Sequence, residues 1–179
     1  MPTILTHAVA AAAIGTAVLP RDCGARTWAL GIACAVLPDL DVVGFAFGIP
    51  YASMVGHRGL SHSIAFATLM SVAAAWALRR ETSGRDRVRT WLFLFLAAVS
   101  HGVLDAFTNG GLGIAFFAPI SPERYFFPVR PIQVSPIGAA FFPRRALEVL
   151  SSEFVWVWIP AAAIGAVSLA WRTGARMRE

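Results

Sequence analysis

The chain contains no lysine, only two cysteines and few charges of either sign, and each shortage removes a class of function. Charged residues fill 14% of 179 positions while hydrophobic residues fill 57%, leaving too little polar surface to coat a water-soluble domain of this size. The mean hydropathy of +0.64 agrees, and a membrane protein is the class indicated. Cys23 and Cys34 form no C-x-x-C motif and neither has a histidine beside it, so a thiolate zinc site or a redox dithiol is unsupported and both read as packing residues. No glycine-rich phosphate loop is present. All fifteen basic residues are arginines, and a net charge of +5 raises the question of nucleic acid. Their placement answers it. They cluster in the short gaps between apolar runs, as loop anchors do, rather than forming a stripe with interleaved aromatics, and no nucleic-acid partner is expected.

What is present is a recurrence of apolar segments, at Thr3 to Leu19, Arg26 to Leu37, Ser61 to Leu78, Thr90 to Phe107 and Phe154 to Trp171. A helix needs about 20 residues to cross the hydrocarbon. The expectation is an all-α polytopic membrane bundle of about five transmembrane helices, forming a single integral domain over residues 1–179. The first run has no positive charge before it and Arg21 only after it, so it reads as a retained helix rather than a signal peptide. The second is short and stops at Pro38, so it either begins nearer Cys23 or ends inside the protein. Ten arginines (21, 26, 79, 80, 85, 87, 89, 172, 176 and 178) fall in gaps that share one side, and the positive-inside rule makes that side cytoplasmic. Arg58, Arg124, Arg130, Arg144 and Arg145 then lie in external gaps, with an external N-terminus. The gap from Thr108 to Glu153 carries six of the eleven prolines and several Phe pairs, which excludes a continuous helix and predicts a looped cap on the membrane surface. The stretch GFAFGIP at 44–50 is a smaller piece of the same kind.

The ionisable residues fall into place on that topology. His7 lies one turn into the first helix, Asp39 and Asp41 follow the second, His57 and His62 flank the start of the third, and His101 with Asp105 end the fourth. Seven candidate metal ligands from four segments thus arrive at the external end of the bundle, toward the periplasm, although only arginines set the orientation. His101 and Asp105 are four apart and share one helix face. In LPDLD the proline ends a helix, and two carboxylates come after it on an expected irregular stretch. In GHRGLSHS the glycines allow a tight turn, placing His62 on the first turn of the next helix. Taken alone, His7 reads more readily as an interfacial polar residue and Asp39 as a helix terminator or cap, while the bland reading of His101 with Asp105 is a buried hydrogen-bonded pair without metal. An aspartate inside an apolar run nonetheless needs a partner. Arg58 is either a snorkelling arginine or a clamp for an anionic substrate, with Arg124 and Arg130 in the same position.

Imidazole and carboxylate without thiolate suit Zn²⁺ first, then Mn²⁺ or Fe. Seven ligands exceed the needs of one tetrahedral ion, so two divalent ions are expected, bridged by Asp105 or Asp39, an arrangement matched to phosphoester hydrolysis. Asp41 and Arg58 are the candidate catalytic groups.

His7 in TH-A-V-A-A-A, L-P-D-L-D at 37–41, H-R-G-x-x-H-S at 57–63 and S-H-x-x-L-D at 100–105 together resemble the YdjM-like, LexA-regulated, membrane-bound metal-dependent hydrolases of bacteria. The resemblance covers about the first 110 residues and extends loosely into the proline-rich stretch. It implies a multi-pass protein of the bacterial inner membrane with hydrolase activity. A more distant resemblance, to zinc-dependent phospholipase C, implies a lipid or lipid-linked phosphoester as substrate and membrane lipid as partner. The chain departs from that pattern in offering no glutamate near the cluster. Two other readings stand beside hydrolysis: a non-catalytic protein that binds or transports a divalent metal, and haem ligation by a pair such as His7 and His101, which three accompanying aspartates disfavour.

Overall fold

The computed structural model describes residues 1–136 and 144–176. Helix α1 (Ile4–Val18) starts after Thr3 in extended conformation and ends at Leu19, just before Pro20. Helix α2 (Ala25–Val36) ends just before Pro38, as expected, but the chain does not become irregular there. Proline lacks the N–H that an α-turn requires, and the chain tightens into a 3₁₀ run, Leu37–Phe47, closed by Gly48 in the left-handed region at φ 73°. Asp39 and Asp41 therefore sit on a wound segment, not on the expected irregular stretch. A short 3₁₀ turn, Leu60–His62, precedes α3 (Ile64–Ala77), so His62 lies just before that helix rather than on its first turn. Ser63 caps α3 by accepting from the Phe66 N–H at 3.1 Å. Helix α4 (Gly84–Ala106) is the longest uninterrupted α-helix described, at 23 residues.

The last rod begins ten residues before Phe154, the start expected from sequence. Helix α5 (Arg144–Glu153) runs through a π turn (Phe154–Trp158) into α6 (Ile159–Arg176). The loop expected over 108–153 is correspondingly shorter, and residues 137–143 of it lie outside the described set. No strand occurs among the described residues. Two isolated bridges, Thr108 with Ile132 and Ile114 with Tyr125, tie the loop to itself. Its backbone also bonds to the bundle, Ala115 N–H to the Arg58 carbonyl at 3.1 Å and Phe127 N–H to that of Ala106 at 3.1 Å.

Three stretches are long and apolar enough to cross a membrane: Ala25–Phe47, Gly84–Ala106 and Arg145–Gly174. Helices α1 and α3 are apolar but shorter. Helix α4 packs against α1, α2 and α3 together, burying Phe93, Leu94, Ala97 and Ala98. Close approach depends on small residues opposite. A Cβ on Gly31 would lie 2.1 Å from the Phe93 ring and one on Gly15 2.4 Å from Trp28. Gly31→Ala is expected to lower stability by about 1–3 kcal/mol, because Phe93 is fully buried and cannot yield. Gly165→Ala, where nothing lies within 4 Å of the added Cβ, is expected to raise it by up to about 1 kcal/mol through helix propensity. Thermal unfolding of both variants in detergent checks the pair.

Candidate metal centre

The packing that surrounds α4 brings the ends of four segments together. Helix α1 contributes His7, the 3₁₀ run Asp39 and Asp41, the 57–62 turn His57 and His62, and α4 both His101 and Asp105. All are buried or nearly so, His7, His101 and Asp105 completely.

These residues divide into an inner and an outer set. In the inner set, atoms of Asp39, His62, His101 and Asp105 lie within 4.8 Å of one another. His101 Nε2 is 3.3 Å and His62 Nε2 3.7 Å from Asp39 Oδ1, and His62 Nε2 is 3.6 Å from Asp105 Oδ2. His7 joins from the side. Its ring stacks on His101 with centroids 4.0 Å apart, and its Nε2 is 3.7 Å from Asp105 Oδ1 and 4.0 Å from Asp39 Oδ2. In the outer set Asp41 accepts from His57 Nδ1 at 2.6 Å and from the Ser61 hydroxyl at 2.5 Å, and lies 3.2 Å from His62 Nδ1. His62 belongs to both sets, one ring nitrogen facing each.

The tautomers are set by the partners. His101 Nδ1 faces the Ala35 carbonyl at 2.7 Å and must carry a hydrogen, which leaves Nε2 as a lone pair. His62 Nδ1 faces the Asp41 carboxylate, so its Nε2 is also a lone pair when the ring is neutral. These two Nε2 atoms are 2.9 Å apart. Two lone pairs at that distance repel unless a cation or a proton lies with them. The same demand comes from the carboxylates, because both oxygens of Asp39 and of Asp105, and both nitrogens of His7, are buried without a hydrogen-bond partner. Three carboxylates outnumber the positive groups beside them, the Arg58 guanidinium and the Met1 amino group, so negative charge is in excess when the histidines are neutral, which favours a cation. A tetrahedral ion with bonds of about 2.0–2.1 Å holds its ligand atoms about 3.3 Å apart, and the inner separations bracket that value. The residues present therefore fit a divalent metal.

Arg58 directs its donors into the protein. Nε is 3.1 Å from Asp105 Oδ2, Nη1 donates to the Gly110 and Leu112 carbonyls at 2.9 Å each, and Nη2 donates to the Thr108 hydroxyl at 3.0 Å. Its backbone has φ 64°, a left-handed conformation held by this enclosure. The flanking glycines are there for space rather than for φ, since a Cβ on Gly56 would meet the Pro50 carbonyl at 2.2 Å and one on Gly59 that of Met54 at 2.1 Å. Arg124 is likewise committed, Nη1 to the His57 and Gly113 carbonyls and Nη2 to those of Tyr51 and Ser53. Arg130 stacks over Phe126 at 4.7 Å and takes no part in the cluster. Burial is the main influence on two groups of this loop layer, pushing the Tyr51 phenol up and drawing the Arg124 guanidinium down.

Sequence reading missed Glu153. Although it is 150 residues from Thr3 in the chain, it is fully buried against the start of α1, accepting from the Thr3 N–H at 2.5 Å and the Thr3 and Thr6 hydroxyls at 2.6 Å each. Trp158, across the π turn, donates Nε1–H to the Thr6 hydroxyl at 2.7 Å. Glu153 is thus a docking group for α1, bonded to the residue before His7. Its one sequence signal is an acid heading an apolar run, a placement that requires a partner. Glu153→Ala leaves three donors without their acceptor and is expected to cost about 2–4 kcal/mol, with Glu153→Gln recovering part of it, as read by thermal unfolding.

A family model described as YdjM inner membrane protein matches residues 1–175. The chain belongs to that family. It is also 37% identical over 161 residues to the inner membrane protein YbcI of Escherichia coli (strain K12), an alignment covering 89% of this chain and 92% of the relative. No solved structure matches it. The YdjM family assignment agrees with the resemblance carried by the His and Asp motifs, and it establishes an inner membrane protein. The distant likeness to phospholipase C has no counterpart among these matches.

Proposed function

We propose that the protein is a membrane-embedded metal-dependent hydrolase that acts on a phosphoester of a lipid or lipid-linked substrate at the external face of the inner membrane. The observation that carries this reading is the convergence of buried ligand atoms from Asp39, His62, His101 and Asp105, with both oxygens of each carboxylate orphaned and two imidazole lone pairs 2.9 Å apart. These four residues would hold one divalent ion, Zn²⁺ favoured by the mixed imidazole and carboxylate donors, with His7 beside it. A second ion would have to use Asp41, His57 and the remaining nitrogen of His62, making that ring a doubly deprotonated bridge. One ion, with Asp41 as the acceptor that orients His62, requires no such state. When bound, a divalent metal supplies Lewis acidity toward a phosphoryl oxygen and activates water for attack at phosphorus.

The chain's own groups prepare the site. Asp41 fixes the tautomer and plane of both His62 and His57, and the His57–Asp41 pair would move a proton to a leaving oxygen. Arg58 positions Asp105. The 3₁₀ run that carries Asp39 and Asp41 also exposes Leu40, Val43 and Phe47, an apolar rim that supports a lipid rather than a free phosphate ester. The arginine-rich ends of α1, α3 and α4 lie opposite the centre, which supports an external orientation for it. Binding or transport of a metal without catalysis is the competing reading. Beneath the centre the described core is closed by Phe93, Leu94, Ala97 and Leu78, a poor path for an ion.

Elemental analysis of protein purified without added metal is expected to give one equivalent of a divalent ion. Chelation followed by Zn²⁺ or Mn²⁺ should abolish and then restore hydrolysis of phospholipids or lipid phosphates. A native preparation free of metal overturns the proposal, and metal without hydrolysis of any lipid phosphoester favours the competing reading.

A further inference from the structure

At the end of the bundle remote from the metal centre, α3 and α4 border an open groove of about 460 Å³. Along α3 its lining runs from Val72 through Trp76 to Arg79, and along α4 from Trp91 through Val88 to Arg87, so both helices pass from apolar to aromatic or apolar to cationic toward their ends. Val72, Trp76 and Val88 are exposed by 52%, 65% and 63%, an apolar surface turned toward the bilayer. Tryptophan at such a level marks the boundary between hydrocarbon and headgroups.

The cations at the mouth are held in place and hold no acid. The Arg79 guanidinium lies 3.9 Å over the Trp76 ring and donates to the Trp76 carbonyl at 2.9 Å. Arg87 Nη2 donates to the carbonyls of Arg79 and Thr82 at 3.1 and 2.9 Å. The nearby carboxylates are engaged elsewhere, Glu81 with Arg26 and Asp86 with Arg89. Among the described residues neither Arg79 nor Arg87 has a carboxylate partner, and each keeps donors to spare. A groove for an alkyl chain that ends at two oriented guanidiniums is complementary to one molecule type, a diacyl lipid with an anionic phosphate headgroup.

We propose that this groove binds one anionic phospholipid, its acyl chain along Val72 and Val88 and its phosphate between Arg79 and Arg87. The site is separate from the metal centre, and its ligand is a bound lipid rather than a substrate.

The full-length protein, reconstituted in phosphatidylcholine vesicles, would be titrated with phosphatidylglycerol or phosphatidylcholine carrying brominated acyl chains, with tryptophan quenching as the readout. The expected result is a roughly tenfold preference for phosphatidylglycerol, on the order of what two arginines at an anionic surface supply. R79Q/R87Q should bring the preference close to one, and each single substitution should lower it about threefold, so the test survives if the double variant does not stay monodisperse. R80Q/R85Q removes the same charge outside the groove and should leave the preference within about twofold of wild type. W76F should reduce the quenched amplitude without altering the preference. Equal quenching by the two lipids, a preference that survives R79Q and R87Q, or an equal loss in R80Q/R85Q each overturns the proposal, the last by showing a diffuse field instead of a site.

Discussion

Arg58→Met is expected to destabilise the protein by about 3–5 kcal/mol, the penalty for removing one partner of a fully buried ion pair. Methionine keeps much of the stem volume, so the loss comes from the guanidinium. Asp105 would lose its counter-charge at 3.1 Å, and the Gly110 and Leu112 carbonyls and the Thr108 hydroxyl would lose their donors, all in a region closed to water. Arg58→Lys should recover little, because an ammonium is a point donor and cannot span three acceptors and a carboxylate in the plane of a guanidinium. Thermal unfolding in detergent, with and without added divalent ion, measures both variants. Metal should narrow the deficit, since a bound cation replaces part of the missing charge and stabilises the folded state by mass action. Were Arg58 a clamp facing substrate, the variants would unfold like wild type and differ only in KM.

His101→Ala is expected to abolish stoichiometric metal binding, while Asp41→Asn weakens it by about 10–100-fold and His57→Ala leaves it nearly unchanged. The order is dictated by which atoms face the inner set. His101 offers Nε2 to it, with Nδ1 already fixed by the Ala35 carbonyl. Asp41 acts on it only through His62 Nδ1, and His57 Nδ1 bonds to Asp41 alone. Elemental analysis gives the stoichiometry, and competition with a chromogenic chelator gives the affinities. Equal loss in all three variants would restore a second ion bridged by His62. Loss in none would show that protonated histidines, not a metal, neutralise Asp39 and Asp105.

Composition was sufficient to reveal a helical membrane protein, because the bilayer imposes long apolar runs whatever the packing. The gathering of histidines and aspartates was legible for a related reason. Ionisable groups near hydrocarbon need partners, and His101 with Asp105 on one α4 face could be read from a spacing of four. Even the family resemblance rested on those motifs. The run after Pro38 was harder, since a missing N–H ends α-helical bonding without dictating the conformation of the residues beyond it, and only the neighbouring turn shows that the chain tightens to Phe47.

Sequence by itself thus determined the class of the protein, its five apolar segments and the set of seven residues that meet at one end. Tertiary structure alone decided how the seven divide. Whether an imidazole faces a metal or a carboxylate depends on which ring nitrogen points where, and that is fixed by partners such as Ala35 and Asp41, brought in by the packing around α4. The role of Arg58 was hidden for the same reason, its acceptors lying 50 to 54 residues away, and Glu153 meets Thr3 across 150. Spacing reports what lies along one helix face, whereas contacts between elements far apart in the chain exist only after the bundle has closed.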